Sequence, residues 1–467
     1  MPRLPFATRS ARNRSLPVSV QRLINLMAQP QQEDAKARLP VYPTPGLRQF
    51  GEVPENRCRG LHQMGTALFA VIGVGVYRFA INGVGVLLGT IPAGGPVSLD
   101  SNGELLCIVL PDTGQGFVVD RSSGVITPIT DTDFLGATSV CVIGGYYVFS
   151  RQNSGEFFLS AINDPLTFDA LDFATAEGQP DNLVTVLRAG DSLWLFGERT
   201  VEVWSNTGAT DFPFLKISGG FVSRGTPARF SVTERLGGPV WLGNDRAVYT
   251  AQGVLPQKIS SAEMDQAVGG YERIDDAEAW VYEQDGHAYY VLTFPDAGDT
   301  WVINLTAQAT AHERESEGVE IWRPTRGVPF AGGIVAGDFF NGKLWLIDPA
   351  YGLEGDAQII RVATGTVFHS EGRRVFIDRV VVEFEAGAGL NAGQGSEPLV
   401  GLSWSDDGGF TFGNEIQVSI GRIGEYRKRA EWRRCGAARA RVFRLRWSDP
   451  IYTTVIAINI DAEPGDD

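Results

Sequence analysis

The chain has 467 residues, with 40 Lys and Arg against 55 Asp and Glu, giving a formal net charge of −15. At ~100–200 residues per domain this length fits about two to four domains. Hydrophobic residues at 43% and aromatics at 10% exclude a disordered chain, and 56 Gly with 25 Pro describe a turn-dense fold rather than a low-complexity one.

The cysteines, Cys58, Cys107, Cys141 and Cys435, form no CxxC pair, which argues against a zinc site or a disulfide framework and reads as reduced packing residues. The first 30 residues carry Arg3, Arg9, Arg12, Arg14 and Arg22 without an uninterrupted apolar run, a pattern that does not suit a secretory signal. The most apolar stretch, residues 67–91, is broken by Arg78 and Asn82. It reads as two strands, because a membrane helix needs ~20 consecutive apolar residues.

Residues 1–60 read as an extended arm. Prolines at 40, 43 and 45 fix φ and withhold donors, so this segment is expected to run across another surface, with a weak helix signal over residues 19–28. From about residue 61 a glycine turn followed by a short apolar strand recurs at Gly65, Gly103, Gly145, Gly190, Gly238, Gly286 and Gly342, with spacings of 38, 42, 45, 48, 48 and 56 residues. Hairpins at ~40–50-residue intervals with little helical periodicity predict the blades of a β-propeller over residues 61–370, six favoured and seven the alternative. Strands such as Leu193-Trp-Leu-Phe196 are apolar throughout, as expected of a blade buried on both faces. A short helix is expected over residues 260–268. Beyond residue 370 the strands lengthen, and Val442, Phe443, Leu445 and Trp447 stand among arginines. An antiparallel β-sandwich over residues 371–467 is the simplest reading, so the fold class is all-β.

No reaction centre, metal site or cofactor emerges. Of His62, His287, His312 and His369, none stands beside a candidate nucleophile in sequence, and His312-Glu-Arg-Glu315 reads as a solvated charge run. Asp131 with Asp133, and Asp296 with Asp299, read as turns rather than cation loops. Ser405-Asp-Asp-Gly-Gly-Phe-Thr-Phe412 resembles the Asp box of sialidase-type propellers. Its short acid and paired glycines favour a tight hairpin, and a single copy outside the repeats is thin support for a glycan-processing enzyme. Residues 421–447 hold ten Lys and Arg against two Glu. This basic segment is open to three readings: phosphate neutralisation on nucleic acid, pairing with acidic faces of sister subunits or a partner ring, or a solvated sheet face. The residues expected to make partner or subunit contacts are Arg427, Arg429, Arg433, Arg434, Arg439 and Arg441, with Arg3, Arg9, Arg12, Arg14 and Arg22 of the arm.

Several ordered pieces together resemble a known family. They include Gln21-Arg-Leu-Ile-Asn-Leu26, Pro43-Thr-Pro-Gly-Leu47, Asp172-Phe-Ala-Thr-Ala-Glu177, Leu193-Trp-Leu-Phe-Gly197, Val201-Glu-Val-Trp204, Tyr290-Val-Leu-Thr-Phe-Pro295, His312-Glu-Arg-Glu-Ser316, Trp404-Ser-Asp-Asp-Gly-Gly409 and Arg441-Val-Phe-Arg-Leu445. In this order they resemble the packaged-DNA stabilisation proteins, or tail hub and nozzle proteins, of short-tailed bacteriophages (podoviruses), with Ala311 where the family pattern has Trp. The resemblance implies a virion tail protein assembled in the host cytoplasm, a ring of six copies below the portal and adaptor rings. It also implies DNA retention, attachment of a tail needle, tailspike or fibre, and transient passage of DNA through the lumen; from the residues themselves, no stable membrane insertion and no cofactor are expected. A host-receptor-binding tail protein is the further alternative.

Overall fold

The computed structural model describes residues 6–32, 35–176, 178, 180–307 and 310–465. Among these residues the repeated hairpins fold into seven four-stranded antiparallel units. Their first strands are Cys58–Met64, Ser98–Ser101, Ala137–Ile143, Leu183–Ala189, Thr233–Arg235, Glu278–Gln284 and Pro324–Phe330. Each lies beside the next, and Pro324–Phe330 returns against Cys58–Met64 to close the ring. The units are numbered blades 1 to 7 in that order.

The count is seven, correcting the preference for six. The first six glycine openings precede second strands, whereas Gly342 precedes the third strand of blade 7, Lys343–Asp348. That shift explains the long final spacing. The fourth strand of blade 7 is Gly46–Glu52, drawn from the arm, with Asp348 opposite Gly46 and Lys343 opposite Glu52. A propeller closed by strands from both ends of its repeat region leaves no free edge at the seam.

The sandwich has two sheets. One runs in the order Leu26–Ala28, Val41–Pro43, Val455–Pro464, Val375–Phe384 and Ala430–Ala438; the other is Val20–Ile24, Arg361–His369, Ala440–Trp447, Leu399–Ser405 and Ile416–Ser419. The second sheet does not stop at the domain boundary. Ile24 pairs in parallel with Glu313 on the outer strand of blade 6, Ala311–Glu313, so blade 6 and the sandwich share one ten-stranded sheet. Arg361–His369, assigned by sequence to the propeller segment, belongs to the sandwich. Its partner Ala440–Trp447 is remote in sequence, so no local hairpin signal announces it.

The arm is extended, as expected, and the surface it crosses is its own chain. Leu23, Leu26 and Val41 enter the sandwich core, while Met27 and Leu47 enter the core between blades 6 and 7. At ~1.5–3 kcal/mol per fully buried side chain, these five make the arm a structural member of both domains. The helix expected over residues 19–28 is instead the two strands Val20–Ile24 and Leu26–Ala28, separated by Asn25 at φ 55°. Burial on both sides, one towards the sandwich and one towards the blades, imitates a helical pattern in so short a segment. The helix expected near residues 260–268 is present as Ala262–Gly269, capped by Ser261 Oγ, which accepts from Met264 N at 3.2 Å.

The run from His312 to Arg314 is buried, contrary to the solvated reading. It lies where blade 6 meets the arm. Arg314 Nη2 donates to the Pro45 carbonyl at 3.0 Å, and Asn25 Nδ2 donates to the carbonyls of Glu315 and Ile360, both at 2.9 Å.

Candidate partner interface

The arginines singled out in the sequence divide into those committed within the chain and those turned outward. Arg3 lies outside the described residues. Arg9 pairs with Glu263 at 3.6 Å, and Arg14 donates its backbone N–H to Gln266 Oε1 at 3.0 Å, so both tie the arm to the helix Ala262–Gly269. Arg22 Nε donates to Glu313 Oε2 at 2.6 Å. Burial works against its charge, but Glu313, with Glu315 and Asp299 nearby, more than offsets this and raises the guanidinium above its ordinary value.

In the basic segment Arg427 and Arg429 are exposed in the turn before Ala430–Ala438, and Arg433 and Arg434 are exposed within that strand. Arg433 donates to Glu431 at 2.8 Å and Arg439 to the Gly372 carbonyl at 2.7 Å. Arg441 is not on this surface. It is 3% exposed and holds Asp406 through two hydrogen bonds of 2.6 and 2.7 Å while also donating to the Cys435 carbonyl. Such a pair is a fixed internal strut, and its guanidinium is unavailable to a partner.

The cross-strand register brings the two basic regions together. Arg22 lies opposite Thr364, Thr364 opposite Arg444, and Arg444 opposite Ser403. In the neighbouring row Ile24, Val362, Arg446 and Gly401 are aligned. Directly opposed residues share a sheet face, so Arg22, Arg444 and Arg446 point to one side while Phe443, Leu445 and Trp447 fill the core behind. With Arg12 they line a groove of about 450 Å³ that also includes Phe410 and Glu415. Arg444 stacks over Phe412 with 3.9 Å from its guanidinium carbon to the ring centroid, and Arg446 stands 3.9 Å from Glu415. Arg444 and Arg446 were counted in the basic segment but not among the expected contacts, and the alternation of the strand was the signal that distinguished them from Arg441.

The Asp-box turn forms one wall. Asp407 accepts from the N–H of Phe410 at 2.9 Å and of Thr411 at 3.0 Å, and hydrogen bonds from Ser405, then Thr411, hold its carboxyl below the usual range. A Cβ on Gly408 would stand 2.8 Å from Pro17 Cγ, and one on Gly409 2.6 Å from Val20 Cγ1. Both glycines have positive φ, so the turn needs them to fit against the arm. The result is Phe410 held at the groove rim, 65% exposed.

The propeller interior is tied from blade to blade. Ser98 Oγ accepts from Val140 N at 3.1 Å, Asp100 Oδ2 from Val142 N at 2.7 Å, and Ser139 Oγ from Val186 N at 2.9 Å. His62 Nε2 stands 2.9 Å from Ser101 Oγ. Asp100 directs its oxygens to the Val142 and Ser101 N–H groups, so the pair joins the blade-to-blade ties. Burial pushes the His62 pKa down. Asp131 accepts from Asp133 N at 2.9 Å and Phe168 N at 3.1 Å, a turn role as expected. Among the described residues no group of three His, Cys, Asp or Glu is placed to hold a metal ion. Among the described residues no helix is long and apolar enough to cross a membrane.

Two family models match, one for the β-propeller of bacteriophage P22 Gp10 over residues 14–351 and one for its β-sandwich over residues 360–463. The chain belongs to the bacteriophage P22 Gp10 family. It is a phage tail structural protein of the kind that stabilises packaged DNA, and the propeller, sandwich and family expected from sequence are present. The Gp10 propeller match begins inside the arm, in keeping with the seam strand Gly46–Glu52. No curated protein matches the chain. Similar solved structures include virginiamycin B lyase from Staphylococcus aureus, at 10% identity and TM-score 0.46 over 65% of this chain and 98% of that one. YCF48 from Cyanidioschyzon merolae is similar at 12% identity and TM-score 0.43, over 65% and 99% of the two chains.

Proposed function

We propose that this Gp10-family chain is a subunit of a homomeric ring, six copies round, seated below the portal and adaptor at the phage tail. The ring retains packaged DNA, carries the needle, tailspike or fibre, and becomes the ejection conduit. The observation that carries this reading is the family match to both domains, supported by their mechanical union. The arm strand Gly46–Glu52 seals blade 7, and one sheet runs from blade 6 into the sandwich. A body stitched in this way resists pressure and shear better than two domains on a linker.

The net charge of −15 also suits a conduit wall, because an acidic lining avoids capturing phosphates in transit. On this reading the protein has no catalytic role, and its Asp box serves to hold Phe410 rather than to process glycans. The test is to assemble particles without the protein and measure genome retention after packaging. Particles that package DNA and then lose it, and that regain retention when the purified chain is added, agree with the proposal. Particles that hold DNA equally well without it refute the retention role. Turnover of a glycoside panel, or adsorption of the purified chain to host cells, would favour the enzyme or receptor alternatives.

A further inference from the structure

The arginine groove has a complementary feature elsewhere on the same chain. Between Arg151 and Arg188 the sequence carries six acids and no Lys or Arg. Within this region the outer strand of blade 3, Asp164–Thr175, is irregular. Phe173 pairs with Phe158, but Phe168 already pairs with Ser160, so the residues between are displaced from the ladder. Bulged edge residues leave regular pairing and project from the sheet. The projection contains Asp169, Leu171 and Asp172, followed by Phe173, with Leu171 81% exposed. Asp169 Oδ1 accepts from Leu171 N at 2.9 Å, which gives the projection a fixed turn. Burial first, and then repulsion from Asp169, pushes the Asp172 carboxyl up, a tension that a neighbouring cation relieves.

The groove presents guanidiniums from Arg12, Arg444 and Arg446 beside the exposed Phe410. The projection presents two carboxylates around an exposed leucine. Their placement also matters. The groove lies on the sheet that continues outward from blade 6, whereas the projection is on the outer edge of blade 3, three blades away in a ring of seven. Patches on opposed flanks of one subunit cannot meet within that subunit. They are arranged for a heterologous, head-to-tail contact, which generates rings when the rotation closes.

Resting on the ring reading above, we infer that the groove lined by Arg12, Arg444 and Arg446 receives the Asp169-Leu171-Asp172 projection of a second copy of this chain. Duplex DNA is the less favoured occupant. Glu313 and Glu415 sit among the arginines, the rim is aromatic, and the chain as a whole repels phosphates at long range. A neighbouring acidic and apolar knob satisfies both the charge and the exposed phenylalanine.

The experiment compares the full chain with two charge-reversal variants, Arg12→Glu with Arg446→Glu, and Asp169→Lys with Asp172→Lys, by sedimentation at low and high salt. Each pair of changes alone is expected to weaken self-association by about tenfold or more. An equimolar mixture of the two variants, and the chain carrying all four changes, should recover it. A second probe avoids dependence on charge reversal. With Leu171→Cys and Phe410→Cys in one chain, a mild oxidant should give an intermolecular disulfide ladder, the native cysteines being buried.

Variants that associate like the parent, or the absence of a ladder in a protein that oligomerises, would overturn the assignment while leaving the ring intact. Duplex DNA binding that is lost in the Arg12→Glu, Arg446→Glu variant with association unchanged would transfer the groove to nucleic acid. A parent chain that stays monomeric at every concentration and salt removes the ring reading, and this contact with it.

Discussion

The Arg314 guanidinium lies over the Trp322 ring, 3.6 Å from its centroid, and 3.7 Å from Glu354. Glu354 in turn accepts from Trp322 Nε1 at 2.9 Å, and Arg314 donates to Pro45. All three side chains are buried. Blade 6, the segment after blade 7 and the arm therefore meet on one ion pair. Burial pulls the Arg314 pKa down and pushes the Glu354 carboxyl up, which is the desolvation cost of placing this pair inside.

Removing one member leaves the other charge uncompensated. Glu354→Ala is expected to lower stability by roughly 3–5 kcal/mol in denaturant unfolding, whereas Arg314→Met combined with Glu354→Leu should cost far less than the two single changes together. A loss in the double variant equal to the sum of the two single losses would mean that packing, and not charge pairing, holds the junction.

His312 gives the junction a pH dependence. Burial first, and the adjacent Arg314 second, hold the imidazole pKa down to about 3. A histidine in the unfolded chain titrates near ~6.5, so below that pH the unfolded state takes up a proton that the folded state refuses. The contribution is complete above pH ~6.5 and is lost as pH falls towards ~3. His312→Gln should flatten the decline of stability with falling pH over that window, read as the difference from the parent chain in denaturant midpoints at each pH. His62, whose pKa burial also lowers, adds a dependence of the same sign that this variant leaves in place.

Closure of the propeller depends on the arm. Leu47 is fully buried among Trp280, Trp345 and Ile347, and Gly342 lets the arm pass, since a Cβ there would stand 2.8 Å from the Glu55 carbonyl oxygen and closer still to that of Val53. Leu47→Ala is expected to cost roughly 2–5 kcal/mol. Gly342→Ala should release the seam selectively, seen as early hydrogen exchange across Lys343–Asp348 while blades 2 to 4 keep their protection. Uniform loss of protection in all blades would instead mean that the ring opens as a single unit.

These closures were hardest to read from sequence because their partners are distant. Each of the first six blades declares itself within about fifty residues, through a glycine turn and an apolar strand whose neighbour is the next strand along. Gly46–Glu52 pairs with Lys343–Asp348, and nothing local marks that pairing, so the arm read as a separate segment and the blade count leaned to six. The burial of His312, Glu313 and Arg314 was hidden for a related reason: a charge run suggests solvent unless its partners, here Arg22, Glu354 and Pro45, are known. The basic segment was legible as a composition, but its working face was set by strand alternation, which sends Arg444 and Arg446 outward, and by the bidentate Asp406 pair that keeps Arg441 inside.

The Asp-box turn provides a test of how the groove rim is held. Asp407 receives hydrogen bonds from Ser405, Phe410 and Thr411, and these keep its carboxyl ionised well below the usual range. Its support of the turn is therefore complete above pH ~3.9, the ordinary aspartate value, and is lost only as pH falls through the depressed one. Asp407→Ala removes the acceptor that joins both ends of the turn, so limited proteolysis should cut within residues 405–412 faster than in the parent chain. Because the turn packs on Pro17 and Val20, the arm beside Arg12 should gain hydrogen exchange as well. Acceleration confined to the turn would show that the arm holds its side of the groove without help from Asp407.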